Sequence, residues 1–475
     1  MASLLHLSTG VDIYVEAAGN RPRRFVQNDR QGRWLSGCAE GGGSMGGLRG
    51  NCLIAQSGGP TAVINASICG VIQQAMRHPE IEGIYGAQHG VVGVLNEDLV
   101  DLRQEEAQEL ELLQSTPGAA LGSVRHRLPA PGDDPAQYQR ILAVFEAHNI
   151  RYFFCAGGND SMDTLSKVSR HAAARGHEFR AVGVPKTVDN DLAGTDHCPG
   201  YGSVAKHVAA ITMGVGLDMM AMHLSDPIVV MEMMGRNAGW ITAATALARR
   251  PCGGLARWEP GDAPNLIYVP EASWSRERFL EDVRECHARY GWCLIAICGS
   301  VRDEHGDYIA MQRGKFSEDA FGHVQLGGVG QFVEGLVREE LGLKTRLIRL
   351  GPAERIAMHF ASLTDRDEAY QLGVFAVQSA VGGVTGKMVG LRRVSNSPYR
   401  CEPTLTDLDA VANEEKLIPR EWLNEAGNDV TQDFLDYALP LIQGEVPTPI
   451  VDGLPRYARL KEVGVQKKLP EWRQP

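Results

Sequence analysis

The sequence predicts an α/β protein built from two doubly wound, mostly parallel-sheet Rossmann-like domains with a C-terminal extension. Three observations carry this. Short apolar runs alternate with amphipathic stretches from Asn51 onward, the alternation of a parallel sheet with helical crossovers. The notable glycine-rich and charged turns all follow apolar runs, at the carboxyl ends of strands, where such sheets hold ligands. At 475 residues the chain exceeds what one core serves. The expected divisions are an extension without order at 1–48, a first α/β domain at 49–225, a second at 226–397, and a wrap-around extension at 398–475.

NCLIAQ (Asn51–Gln56) reads as the first strand. The turn SGGPT leads from it into AVINASICGVIQQAM, where Val63, Ala66, Ile68 and Ile72 recur at helical spacing. GIYGAQHG reads as strand and turn, and YQRILAVFEAHN as an amphipathic helix feeding the buried strand RYFFCA. The turn CAGGNDSMDT and the helix LSKVSRHAAAR come next. AVGVP (Ala181–Pro185) is a strand closed by KTVDND. IVVMEMM (Ile228–Met234) leads into GRNAGWITAATALA, expected as a helix with Arg236 at its start. LIYVP, RERFLEDVRECHARY and WCLIAICG repeat the strand–helix–strand pattern. From Pro398 the chain turns proline-rich and mixed in charge. Residues 1–44 lack the order of a signal peptide, and Met45 is the expected natural start.

Lys and Arg number 47 against 58 Asp and Glu, a net charge of −11. That balance argues against a general nucleic-acid or membrane-surface binder, so an anionic ligand must be held by locally placed cations. The ten cysteines are scattered without a CxxC pair, and Cys155, Cys293 and Cys298 lie inside apolar runs. Reduced, buried thiols in a cytoplasmic protein are expected, and His197–Cys198 has no second cluster to complete a zinc site. The richest apolar stretch, VAAITMGVGLDMMAM, is broken by Asp218 short of the ~20 residues of a membrane span.

Four turns carry candidate chemistry. SGGPTAVIN (Ser57–Asn65) offers backbone N–H groups and a helix N-terminus to an anion, though a plain tight turn would look the same. In GGND (Gly157–Asp160), Asn159 or Asp160 could do no more than cap the following helix. PKTVDND (Pro185–Asp191) crowds Lys186, Asp189 and Asp191 into one turn after a strand. An Asp there can take a hydroxyl proton, and a Lys can neutralise a transferred phosphoryl group. The bland reading is a solvated turn with an incidental ion pair. In MMGRNAGW (Met233–Trp240), Arg236 could clamp a phosphate or simply be exposed.

In this order SGGPTAVINA, GGNDS, PKTVDND and MGRNAGW resemble the phosphofructokinase family, from about Asn51 to the region near residue 395. VPE (Val269–Glu271), GHVQLGGVG (Gly322–Gly330) and TDRDEAYQLGVFAVQSAVGGVTGKMV extend the resemblance. It implies a phosphofructokinase-like fold, with 49–225 binding the phosphoryl donor and 226–397 the sugar phosphate. Two positions are similar to the pyrophosphate-dependent members. Asp160 stands where ATP-using members have a glycine, and Lys186 stands before the TxDND run. Asp160 would occupy the place of a donor α-phosphate and repel ATP. Lys186 would supply charge to a transition state stabilised mainly electrostatically.

The resemblance implies reversible phosphoryl transfer from pyrophosphate to the 1-hydroxyl of fructose 6-phosphate, in glycolysis or gluconeogenesis. Asp189 would be the base and Gly58 would lie against pyrophosphate, while Thr187 and Asp191 help hold substrate. Met234, Gly235, Arg236 and Glu271 would contact the sugar phosphate, and Arg125 would face the donor. Arg346 and Arg355 would clamp substrate phosphate, one of them across a subunit interface of a homodimer or homotetramer. Mg²⁺ would bridge the donor phosphates near Asn159, where the family has a charged Asp. The family's HxQR segment reads PAER here (Pro352–Arg355). ATP-dependent phosphofructokinase and sedoheptulose 7-phosphate as main acceptor are the alternatives within this reading. An NAD kinase-like enzyme and a catalytically silent phosphate-sensing subunit lie outside it.

Overall fold

A computed structural model describes residues 48–249, 259–313, 328–412 and 414–473. The expectation about Met45, Gly322–Gln325 of the GHVQ segment, and most of residues 1–48 lie outside them. Within Gly47–Pro475 the chain forms one compact unit with two sheets.

The first sheet contains β1 (Gly50–Gln56), β2 (Ile81–Ala87), β3 (Leu99–Asp101), β4 (Ile150–Gly157) and β5 (Arg180–Pro185). It is completed by β10 (Lys387–Asn396) and β11 (Tyr399–Asp407), in the order β11-β10-β5-β4-β1-β2-β3. The second sheet contains β6 (Ile228–Met233), β7 (Leu266–Tyr268), β8 (Cys293–Cys298) and β9 (Thr345–Arg349), all parallel, in the order β7-β8-β6-β9. In the first sheet β3 and β11 run antiparallel at the two edges and the rest is parallel. The expected boundary at 397/398 falls inside the β10–β11 hairpin. Both strands belong to the first sheet, so this lobe is assembled from two separated stretches of chain.

Continuous apolar strands fix the cores because both faces of a parallel sheet are covered. Cys52, Leu53, Ile54 and Ala55 of β1 are all buried, as are Cys293 to Cys298 throughout β8. The eight described cysteines are unpaired thiols, and burial pushes those of Cys52, Cys155, Cys198, Cys293 and Cys298 up, out of the reactive range.

Helix Tyr201–Met222 is long and apolar enough to cross a membrane by length and composition, although Asp218 interrupts it. Its first nine residues are buried in the protein core. Its last turns expose Met213, Leu217 and Met222, with Leu224 beyond them.

The chain from Arg456 to Trp472 runs along the β3 edge of the first lobe. Asp101 N–H donates to Val463 O, and Val465 N–H to Leu99 O (both 2.8 Å). Three carboxylates receive backbone N–H groups of this strap: Glu109 from Arg459, Glu105 from Lys461 and Glu462, and Glu97 from Lys468 and Leu469.

Candidate active site

Strand order decides where the site can be. From β1 the chain moves to β2 on one side, then returns to β4 and β5 on the other, so the turns after β1 and β4 diverge at a switch point. Gln56 pairs with Ala156, and Ser57 N–H donates to Ala156 O (2.9 Å). Gly157 pairs with Pro185, and Lys186 N–H donates to Gly157 O (3.1 Å). Sheet register therefore aligns SGGPT, GGND and KTVDND side by side.

The first turn is a glycine floor beneath cations. A Cβ on Gly58 would meet Lys186 Nζ at 2.9 Å, and one on Gly59 would meet an Arg355 guanidinium nitrogen at 2.6 Å. Gly58 also has φ +79°, a conformation side chains resist. Gly58, Gly59, Ser123, Arg125 and Arg355 line a cavity of about 300 Å³, the lower end of small-molecule sites. The loop carrying Ser123 and Arg125 is tied to the floor by Ser123 Oγ–H to Gly58 O (2.5 Å) and by Leu121 N–H to Gln56 Oε1 (2.8 Å).

Lys186 is 3% exposed. Burial pulls its ammonium down to about 8, although Asp189 pulls upward. Arg355 is lowered by burial and by Arg125, and its Nε is buried without a hydrogen-bond partner. Stacked, partly unneutralised cations over glycines are a site for a compact polyanion.

In GGND, Gly158 takes the N-cap position of helix Asn159–Ala174, with no side-chain cap hydrogen bond. Neither Asn159 nor Asp160 is the cap that its residue type would suggest. Asp160 stands in the first turn, and Asn159 Oδ1 is buried without a partner.

The KTVDND turn is held by its own backbone. Asp189 N–H donates to Thr187 Oγ1 (3.1 Å), and Thr187 N–H to Pro199 O (3.3 Å). Asn190, fully buried, adopts φ +55°. Its amide donates to Tyr437 Oη (2.9 Å) and its oxygen accepts from Cys198 N–H (2.9 Å) and Lys416 Nζ (3.3 Å). Asn tolerates this left-handed conformation, and beside it Asp189 lies among the site's cations. Burial pushes Asp189 up, opposed by Arg236, Lys186, Arg355 and Arg125. Burial and Asp189 push Asp191 up to about 7.

From the second sheet, the turn after β6 brings Met234, Gly235 and Arg236, and the neighbouring turn after β9 brings Glu354 and Arg355. Arg236 lies in a bend before the short helix Trp240–Ala244 and not at its start. The backbone is extended or bent through Gly235 and Gly239, so the expected helix begins four residues later than its pattern suggests. Glu271 accepts the N–H groups of Gly239 (2.9 and 3.2 Å) and Ile418 (3.1 Å), anchoring this segment to the C-terminal part of the chain.

Twelve of the expected residues thus converge around the crevice or brace its turns: Gly58, Arg125, Asn159, Asp160, Lys186, Thr187, Asp189, Asp191, Met234, Gly235, Arg236 and Glu271. Arg355 joins them, but against the glycine floor at Gly59. Arg346 stands apart on β9, paired with Asp218 (2.7 Å) and near Asp226 (4.0 Å). Glu354 was not anticipated. A signal existed in PAER, an acid beside an arginine after a strand, but nothing local marks it as buried.

Among the described residues, Asp196, His197 and Cys401 are close enough together to hold an ion. Both imidazole nitrogens are already engaged, with Asp196 (2.8 Å) and Glu368 (2.7 Å), and Arg393 pairs with Asp196 (2.9 Å). Burial lowers the His197 pKa, but Glu368 and Asp196 outweigh it and carry it up to about 9. With both ring nitrogens engaged by carboxylates, the imidazole offers no free ligand atom in this arrangement.

The chain belongs to the phosphofructokinase family, whose model matches residues 51–380. It is 42% identical over 89% of its length to a Halomonas elongata protein named pyrophosphate--fructose 6-phosphate 1-phosphotransferase, covering 99% of that protein. A Xanthomonas campestris pv. campestris protein of the same name is 43% identical over the same shares. The crystal structure of a pyrophosphate-dependent phosphofructokinase from Nitrosospira multiformis superposes with a TM-score of 0.80 at 39% identity, covering 90% of this chain and all of that one.

Proposed function

We propose that this protein reversibly transfers a phosphoryl group from pyrophosphate to the 1-hydroxyl of fructose 6-phosphate, giving fructose 1,6-bisphosphate and phosphate. The observation that carries the donor is the pairing of buried Lys186 over Gly58 with Asp160 at the helix start. The cations accept a compact diphosphate, and the carboxylate repels a third phosphate. The names of relatives at 42% and 43% identity support the same reading.

Asp189 takes the proton of the 1-hydroxyl. Four cations favour the negative charge on Asp189 against the burial that raises it, and burial with Asp189 pushes Asp191 up to about 7. The hydroxyl oxygen bonds to the terminal phosphorus as the bond from that phosphorus to the bridging oxygen breaks, and phosphate leaves with that oxygen. Lys186, Arg125 and Arg355 face the charge on the transferring and leaving groups. Arg236 holds the sugar phosphate.

The orphaned Asn159 Oδ1 fits a Mg²⁺ ion or a water of its shell, as a neutral oxygen donor. Held there, Mg²⁺ would neutralise donor phosphate charge. The exposed face of helix Tyr201–Met222, next to Arg346, meets a second copy in a homo-oligomer, so that Arg346 reaches the neighbouring site. A cytoplasmic location follows from reduced thiols and phosphate substrates.

A coupled assay with fructose 6-phosphate and Mg²⁺, comparing pyrophosphate with ATP, tests this. Turnover with pyrophosphate and not ATP is expected. Turnover with ATP alone overturns the donor assignment, and preference for sedoheptulose 7-phosphate overturns the acceptor.

A further inference from the structure

Glu354 lies on the turn Gly351–Ile356 that follows β9, and it is 1% exposed. Both of its carboxyl oxygens reach one backbone group, the N–H of Met234 (3.0 and 3.3 Å). Met234 begins the bend that carries Gly235 and Arg236. The charged groups acting on Glu354 are Asp189 from the turn after β5 and Glu232 from β6, both negative. Arg236, two residues beyond Met234, acts on Asp189. Arg355 lies against Gly59, and Arg349 pairs with Glu232 (3.3 Å). On helix Tyr201–Met222, which packs on this turn, Lys206 points at Glu445 (2.7 Å) and His207 stacks edge-on against His359.

A buried carboxyl with one backbone donor and two acidic neighbours is poorly suited to carry charge. We propose that Glu354 is a positioning acid: protonated at neutral pH, it fixes the Met234 backbone ahead of Arg236 and spares Asp189 a second negative neighbour. Burial pushes its pKa up to about 8; the Met234 N–H opposes this, while Asp189 and Glu232 add to it. Ionisation above that pH sets a negative charge beside the sugar-phosphate site and weakens its hold on an anionic substrate. This inference rests on the proposed acceptor only for its kinetic arm.

The full-length protein is compared with Glu354→Gln and Glu354→Ala. In infrared difference spectra between neutral and alkaline pH, the unsubstituted protein loses a protonated-carboxyl band that Glu354→Gln lacks from the start. At pH 7 the amide reproduces the neutral acid, so Glu354→Gln keeps its KM for fructose 6-phosphate within about twofold. Glu354→Ala raises that KM about tenfold, the scale of one lost buried hydrogen bond. From pH 7 to 9 the KM rises more steeply in the unsubstituted enzyme than in Glu354→Gln; the rise common to both belongs to the other groups of the site, Lys186 and Asp191 among them. An unchanged band in Glu354→Gln, a KM as high as that of Glu354→Ala, or parallel pH profiles overturn the proposal. If fructose 6-phosphate is not turned over at all, the functional reading fails, and the infrared result still decides the state of Glu354.

Discussion

Asp160 occupies a place that a helix rewards for its own sake. A carboxylate in the first turn gains about 0.3–1 kcal/mol from the helix dipole. A stabilising role and the proposed donor-excluding role therefore meet in one side chain, and substitution separates them. Asp160→Gly costs about 1–2 kcal/mol of stability, from the lost dipole interaction and the flexible residue. If charge is what bars ATP, the same variant gains ATP-dependent turnover, checked with the coupled assay. A variant that folds and still rejects ATP shows that the cavity walls exclude the nucleotide. Lys186, Asp189 and Asp160 were legible because charged side chains after apolar runs stand out against a strand pattern. Glu354 was not, since its burial comes from β6 meeting β9, which no local pattern encodes. Nor could the sequence reveal that Arg355 leans on the glycine floor while Arg346 turns to Asp218.

Behind the catalytic turn, Asp196, His197 and Glu368 tie the segment before helix Tyr201–Met222 to helix Leu363–Val381. Arg393 joins them from β10. The His197 pKa is higher in the folded chain than its ordinary 6.5, so the network stabilises most fully below that value. Its contribution falls as pH rises and is gone above about 9. Urea unfolding midpoints should drop between pH 6.5 and 9, and His197→Leu should remove much of that slope. The variant leaves half-buried Glu368 without its cation and Asp196 with Arg393 alone, and costs about 1–3 kcal/mol. A slope unchanged by the substitution would show that other groups govern the alkaline limb. Elements as such were largely readable: β1, β4, β5, β6 and β8 follow their apolar runs within a residue or two. The β10–β11 hairpin escaped because Arg392, Arg393 and Arg400 punctuate it. Its outer half is solvent-facing and only Lys387–Met388 pairs with β5. A half-exposed edge hairpin lacks the unbroken apolar signature that marked the interior strands.

Among the described residues, Leu217 near the end of helix Tyr201–Met222 is 69% exposed, and Leu224 just beyond it 93%. Against a second copy each leucine would be buried twice by symmetry. Leu217→Glu should then weaken self-association by about 3 kcal/mol per dimer, roughly a hundredfold. Sedimentation over a concentration series measures it. A protein that sediments identically with and without the substitution does not assemble through this face.

The first sheet takes β1 to β5 from the beginning of the described chain and β10 and β11 from beyond the second sheet. A chain made from its N-terminus has therefore to emerge past residue 407 before the flank of β5 is covered, and past Leu469 before Glu97 receives its backbone donors. The second sheet, contiguous from β6 to β9, is complete well before that. During synthesis the lobe of the second sheet can close while the lobe of the first sheet still waits for its last strands. The crevice between them is thus among the last features the growing chain can form, and a truncated product cannot hold phosphate in the full arrangement of cations.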